Sequence, residues 1–323
     1  MRTLVTADSL SHDVMEFLRF RRAMGVQYRR GEFVLNGFVR FIAELWGEQT
    51  EVALDEAVRR WSSRIAGRQA FTVSLEFGVV RQLCLYRRRH DPSGYVPEHA
   101  IAPVKESRFL PYIFSHDEVL HMLHAASRHH GRWIWAPMFR ALMLVLYCTG
   151  LRLGEAVRLH MEDVDLDRGT FFVSHSKGRS RIVAFRPDLA GEIRQYLQAR
   201  RQLLRDRSIE DSLALFIRLD GTPLTLKSAS DAIRRLLRQL SIKPPTGRIG
   251  PRPYEFRHAF AVHRLTAWAT AGVDVHAKLP WLSAYLGHQD VLGTEVYLKA
   301  TPELLELASK RFLNHLRHTH PTK

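Results

Sequence analysis

Cysteine is nearly missing from this sequence: among 323 residues only Cys84 and Cys148 occur. Both sit in apolar, helix-like segments, which suits two reduced thiols and leaves no basis for a disulfide framework or a cysteine-built metal cage. Long apolar runs are missing as well. The longest, Ala141 to Cys148, falls far short of the roughly 20 residues a membrane-crossing helix needs, and it fits a buried helix instead. The first residues show no basic patch followed by an apolar stretch and a small-residue cleavage site, so the chain is expected to stay in the cytoplasm, away from membranes. Lysine is absent from residues 1–100, which hold 15 Arg against 12 acids. No internal repeat and no low-complexity stretch is visible.

What is present is charge of one sign. The formal charge is +15 with histidine neutral, and residues 1–100 supply +3 of it, leaving +12 to residues 101–323. Such an excess favours a polyanion through release of its counterions, so the later part of the chain should carry most of that contact. With 46% hydrophobic and 25% charged residues the composition is that of a globular protein. Its length allows two domains, each with its own core.

Apolar residues recur at helical spacing over 9–25, 31–47, 54–66 and 70–89. Phe33, Val34, Phe38, Phe41 and Ile42 are expected to form one stripe, with Gly47 ending their helix. Four such helices predict a bundle over residues 1–90 with its aromatic residues packed inside. Arg87, Arg88 and Arg89 close the last helix, either as a solvated helix end or as a phosphate contact. Pro92, Gly94, Pro97, Pro103 and Pro111 then break any pattern, so residues 91–113 read as a semi-extended linker.

A second domain, 114–323, begins where Ser115 and Glu118 have the spacing of a capping box. Helices are predicted from about Trp133 to Cys148, through Glu155 and Leu159, and over 187–206, 226–240, 254–272, 278–287, 291–299 and 302–316. Alternation near 170–174 and 181–185 predicts a β-hairpin around the loop Ser176 to Ser180, and Leu215 to Leu219 has the look of a short strand. The expected fold class is mainly α with a small β-sheet.

Single polar residues in this second domain imply little. Arg152 and Glu155, three apart in Thr149-Gly150-Leu151-Arg152-Leu153-Gly154-Glu155, share a helical face and alone could be a surface ion pair. Their order along the chain says more. Arg152 is followed by Lys177 in the hairpin loop, by Arg257-His258 within Pro253-Tyr254-Glu255-Phe256-Arg257-His258-Ala259-Phe260, by Leu286-Gly287-His288, and by Tyr297 nine residues after His288.

In that order and spacing the sequence resembles the tyrosine recombinase family, also called phage integrases, over essentially all of 115–315. The stretches Phe260 to Leu265 and Leu279 to His288 are similar to transposon-associated members. The resemblance implies a small helical DNA-clamping domain joined to a mostly helical catalytic domain. It implies that Tyr297 attacks DNA, leaving a phosphotyrosine at the 3′ end and a free 5′ hydroxyl, with no metal, cofactor or ATP.

The physical chemistry fits those roles. A phosphodiester repels nucleophiles, so fixed cations are needed around its nonbridging oxygens, and arginine supplies a charged planar fork for this task. Arg152 and Arg257 are the expected clamp. Lys177 is the candidate acid for the departing 5′ oxygen; Arg179 and Arg181 release protons far less readily and are candidate DNA contacts. His288 is expected to bond a nonbridging oxygen or to position Tyr297. Glu155 would orient Arg152, and His258 would brace the site or simply pack. Tyr285 is a competing tyrosine expected to pack within its helix.

One departure concerns Tyr254, where the family usually has His or Lys. A neutral phenol donates a hydrogen bond, but with a reference pKa of about 10 it shuttles protons poorly. Tyr254 could keep the geometric role without the acid–base one, could be purely structural, or could mark a slowed site. The expected partner is double-stranded DNA carrying inverted sites, bound by a homo-oligomer with or without partner recombinases, and held at the nucleoid. The expected reaction is integration, excision or transposition. Two other readings stand beside it: a type IB topoisomerase, and a DNA-binding or architectural relative that cleaves poorly.

Overall fold

The computed structural model describes residues 3–63, 70–98, 111–129, 131, 134–176, 179–247, 249–288 and 290–298. The chain divides into two compact units, Met1–Phe109 and Leu110–Lys323.

Among its described residues the first unit holds four helices. α1 (Ala7–Ala23) starts on a capping box in which Thr6 accepts from the Ser9 N–H at 3.0 Å, which satisfies donors that a helix start otherwise leaves open. α2 (Arg29–Trp46) stops at Gly47, whose φ of 94° favours glycine. α3 (Leu54–Ser63) and α4 (Ala70–Arg87) complete the set. A small antiparallel pair, β1 (Leu4–Val5) with β2 (Val52–Ala53), ties the start of the chain to the start of α3; neither strand was expected. The core gathers Leu10, Phe17, Leu35, Phe38, Ile42, Trp61 and Leu83.

Two expectations are corrected here. Phe33 does not join the α2 stripe: it is 68% exposed, with the Arg30 guanidinium 5.5 Å from its ring centre. At about 100° per residue, position 33 lies well around the helix from Phe38 and Ile42, and Leu35 takes the inward place. The linker also begins later than position 91. Tyr95 and Val96 pack on the first unit's core, the Tyr95 N–H donates to Thr3 Oγ1 at 2.8 Å, and Arg81 Nε donates to the Pro97 carbonyl at 2.9 Å.

In the second unit α5 (His116–Ser127) begins on the expected capping box of Ser115 and Glu118. α6 (Ala136–Thr149) is central, with Met138, Phe139, Leu142, Met143, Val145 and Leu146 buried. After the one-turn α7 (Leu153–Ala156) come a 3₁₀ turn (Met161–Asp163) and a three-stranded antiparallel sheet. Its strands are β3 (Val164–Asp165), β4 (Thr170–Ser176) and β5 (Arg179–Ala184), in the order β3-β4-β5. The hairpin was expected; β3 was not.

α8 (Pro187–Asp206) and α9 (Leu226–Gln239) follow. α10 (Glu255–Thr270), α11 (Val275–Leu286) and the short α12 (Leu292–Glu295) come next; Arg257 and His258 lie on α10, with Tyr254 just before it, while His288 follows α11 and Tyr297 follows α12. Leu215 to Leu219 is no strand; it has one isolated bridge, at Ile217, with another just before it at Ala214, while Leu215, Phe216 and Ile217 are buried in the core. Burial on all sides explains the apolar run without a ladder. The helix expected over 302–316 lies outside the described residues.

Candidate active site

Two helix ends meet in the second unit. α6 stops at Gly150, with φ 62°, and α11 stops at Gly287, with φ 69°. At Gly150 glycine is required twice over, since a Cβ there would come within 2.5 Å of the Phe260 ring. Each helix end leaves carbonyls without intrahelical partners. Three arginines take them up. Arg257 donates to the Gly150 carbonyl at 2.9 Å and to the Leu286 carbonyl at 2.6 Å; Arg152 donates to the Gly287 carbonyl at 3.2 Å; Arg181 donates to the Tyr285 carbonyl at 2.9 Å. Segments far apart in sequence are thereby bolted together.

Glu155 sits beneath this arrangement, 3% exposed. Its carboxylate accepts from the Arg152 backbone N–H at 2.9 Å, from Arg152 Nη1 at 2.7 Å, and from Arg181 Nη1 and Nη2 at 3.2 and 3.0 Å. The expected partnership of Glu155 with Arg152 is present, and it is shared with a second arginine. A buried carboxylate held by two guanidinium groups keeps its charge compensated. Burial, together with the nearby Arg152 charge, draws the Arg257 guanidinium below its ordinary range.

Tyr297 follows α12 and is 1% exposed. Its hydroxyl lies 3.2 Å from His258 Nδ1, and the two rings meet at a centroid distance of 5.4 Å. Burial pushes the Tyr297 phenol up to about 12, with Tyr254 adding to the rise while Arg257 and Arg152 oppose it. His258 is pushed down to about 4, first by burial and then by the Arg257 charge, so it is neutral at ordinary pH. His288 bonds Thr294 Oγ1 at 2.7 Å through Nδ1 and lies roughly parallel to the Tyr297 ring at 6.4 Å. Tyr254, 42% exposed, sets its ring edge-on to His258 at 4.8 Å.

Arg152, Glu155, Tyr254, Arg257, His258, His288 and Tyr297 therefore form one cluster. Lys177 lies outside the described residues. Arg181, expected as a DNA contact, instead turns inward to Glu155 and the Tyr285 carbonyl. It lies on the same face of β5 as the buried Val183, as period-two alternation requires. Tyr285 donates from its hydroxyl to the Ala184 carbonyl at 2.8 Å and stacks on Phe260, which is a packing role. In the first unit Arg87 pairs with Asp13 at 2.8 Å, while Arg88 and Arg89 are exposed, the latter 4.9 Å from the Phe20 ring centre.

Residues 113–303 match the model of the phage integrase family. The chain belongs to that family. This tyrosine recombinase is 31% identical over 303 residues to the putative integrase/recombinase y4rB of Sinorhizobium fredii, covering 92% of this chain and 95% of that protein. It is 30% identical to the tyrosine recombinase XerA of Thermococcus kodakarensis over 65% of this chain and 66% of that protein. In fold it is similar to the Tn1549 transposon integrase, solved in complex with transposon right end DNA, with a TM-score of 0.66 at 16% identity over 96% of this chain and all of that one. These likenesses favour the recombinase over the topoisomerase, which is set aside. Among the described residues no helix is long and apolar enough to cross a membrane.

Within the recombinase, the sequence did not point to Thr294 or to the carbonyls of Gly150, Leu286 and Gly287. The two glycines themselves were the available signal, because a helix end that must turn left-handed leaves carbonyls to be satisfied.

Proposed function

We propose that this recombinase cuts and rejoins DNA by attack of Tyr297 on the scissile phosphorus. The bond from the Tyr297 oxygen to phosphorus forms as the bond to the 5′ oxygen breaks, leaving a 3′-phosphotyrosine and a 5′ hydroxyl. The observation that carries this reading is the placement of the Tyr297 phenol against His258 beside two arginines fixed by backbone carbonyls. Two of the five N–H donors of the Arg257 guanidinium serve Gly150 and Leu286, and the remainder are of the kind that bind a phosphate oxygen. Arg152 and Arg257 then neutralise the phosphate, so the step needs no metal ion. The covalent intermediate conserves the phosphoryl bond, so rejoining needs no ATP.

Lys177, between β4 and β5, is the proposed acid for the 5′ oxygen; β5 is fastened to the cluster through Arg181. His288 positions the nucleophile's surroundings through Thr294, and Glu155 holds Arg152. Tyr254 covers His258 and offers its hydroxyl to the DNA without acting as the shuttle. Arg88, Arg89 and Arg179 are proposed phosphate contacts. The DNA partner is a duplex with inverted sites, bound by several copies of the chain; the DNA complex of the Tn1549 integrase supports DNA as the ligand.

The test is a duplex nicked beside the scissile phosphate, so that the cut strand is lost and the intermediate trapped. Wild type should accumulate a covalent protein–DNA adduct and Tyr297→Phe none. Equal adduct from both would remove Tyr297 as the nucleophile, and no adduct from wild type would favour a non-cleaving DNA-binding protein.

A further inference from the structure

A phenol at a pKa of about 12 is a poor nucleophile until something takes its proton, and the roles above supply an acid for the leaving oxygen but no base for the attacking one. The Tyr297 hydroxyl meets the His258 imidazole. His258 Nδ1 is 3.2 Å from the Tyr297 hydroxyl, and on the opposite edge of the imidazole Nε2 is 3.5 Å from Glu255 Oε2. That carboxylate oxygen is buried and has no hydrogen-bond partner among the described residues. All three residues are largely buried, and the sequence holds the histidine one turn beyond the glutamate on α10.

We propose that His258 accepts the phenol proton of Tyr297 during attack on DNA, with Glu255 on its far side fixing the tautomer that leaves Nδ1 bare. This rests on the reading of Tyr297 as the nucleophile. A neutral imidazole has one N–H. Facing a carboxylate at Nε2 and a hydroxyl at Nδ1, it places that N–H at Nε2 and accepts at Nδ1. As the Tyr297 oxygen bonds to phosphorus, its proton moves to Nδ1, and the imidazolium so formed makes an ion pair with Glu255. On rejoining, the 5′ hydroxyl attacks phosphorus, the phenolate leaves, and His258 returns the proton. Nothing is consumed, and no further reactant is required.

The charged and titratable groups around His258 are Tyr254, Glu255 and Arg257 from α10 and its start, and Tyr297 from beyond α12. Arg257 is the one that depresses its basicity, after burial. A scissile phosphate bound at Arg257 brings the opposite charge, offsets that repulsion and raises the basicity of His258 when DNA is in place. Glu255 itself is raised above the ordinary carboxylate range by burial, against the opposing pull of a backbone hydrogen bond from Arg252 and of the Arg252 and Lys243 charges. Glu255 acts through His258 and is a positioning residue; His258 touches the reacting oxygen.

The probe is a duplex selected from random-sequence DNA by binding to the full chain, carrying sulfur in place of the bridging 5′ oxygen at the cut. Thiolate leaves without an acid, so the rate of adduct formation reports the nucleophile alone. Wild type should give a rate that is flat between about pH 6 and 8, where His258 is already neutral. His258→Asn keeps an acceptor near Nδ1 but cannot hold the proton. It should fall about a hundredfold and gain a rate that climbs with pH, as hydroxide takes over, while still binding DNA and unfolding cooperatively. Glu255→Gln should lose about tenfold with the flat profile kept. A His258→Asn protein that keeps a flat profile and a rate within about threefold of wild type overturns the relay. An unchanged Glu255→Gln rate overturns the carboxylate's part in it. Should Tyr297→Phe form as much adduct as wild type, the nucleophile itself is misassigned, an outcome distinct from the other two.

Discussion

Arginine does different work in the two units of this chain. In the first, Arg19, Arg59 and Arg60 lie on helix surfaces with side chains 75%, 63% and 51% exposed, paired to Glu16, Asp55 and Glu56 within a turn of the same helix. In the second, the side chains of Arg152, Arg181 and Arg257 are at most 18% exposed and join segments more than a hundred residues apart. Exposed pairs contribute little because water and salt screen them and their flexible side chains resist ordering. Buried guanidinium groups stay only where donors and charge are matched, which makes them sensitive to the loss of any partner. The lesson is that total charge points to a polyanionic ligand, while the fixed arginines locate the chemistry.

Substitutions that strip the buried set should therefore have large effects, and those on the exposed set small ones. Arg257→Ala is expected to be the most severe. It should reduce adduct formation by at least about a hundredfold, as for loss of a donor to a developing oxyanion. It should also lower unfolding free energy by about 2–5 kcal/mol by orphaning two buried carbonyls. Adduct rates and urea unfolding read the two effects separately. Glu155→Gln comes next, since it leaves Arg152 and Arg181 without their shared charge; a loss of about 3 kcal/mol is expected, with slower cleavage as Arg152 loosens. Arg181→Ala should cost less, about 1–3 kcal/mol, because Arg152 still holds Glu155. If Arg181→Ala instead abolished DNA binding and left stability untouched, the inward placement of this side chain would be wrong. Smallest is Arg59→Ala in the first unit, expected to move stability by under about 0.5 kcal/mol.

A pH series sharpens the same contrast. His258 and His263 both sit at about 4 in the folded protein, lowered chiefly by burial and then by Arg257 and His116 respectively. Unfolded, each titrates near 6.5, so between those values the unfolded chain binds more protons. Stability should fall as pH drops from about 6.5 to about 4, through these groups. Measured as thermal midpoints, the slope should flatten in a His258→Asn, His263→Asn double variant. An unchanged slope would mean that neither ring is held neutral.

Much of this was legible in the sequence, for reasons that also mark where legibility stopped. The helices of the first unit announced themselves through period, and Thr149-Gly150-Leu151-Arg152 with Leu286-Gly287-His288 marked both helix ends at the candidate site. Phe33 misled because a stripe read by eye tolerates an extra aromatic; the 100° step excludes it. Arg181 misled because cations in a hairpin suggest an outer surface, whereas alternation with Val183 placed it inside. The strand β3, two residues long, has no period to detect. His258 was visible only as a neighbour of Arg257, since a contact between α10 and the segment after α12 is a tertiary fact, and no spacing encodes it.

The most direct measurement is to digest the trapped protein–DNA adduct and identify the modified peptide by mass spectrometry. A single nucleotide-bearing peptide spanning Thr294 to Leu298 is expected, with the 3′ phosphate on the Tyr297 oxygen. Attachment at Tyr254 or Tyr285, or to any residue other than Tyr297, would contradict it.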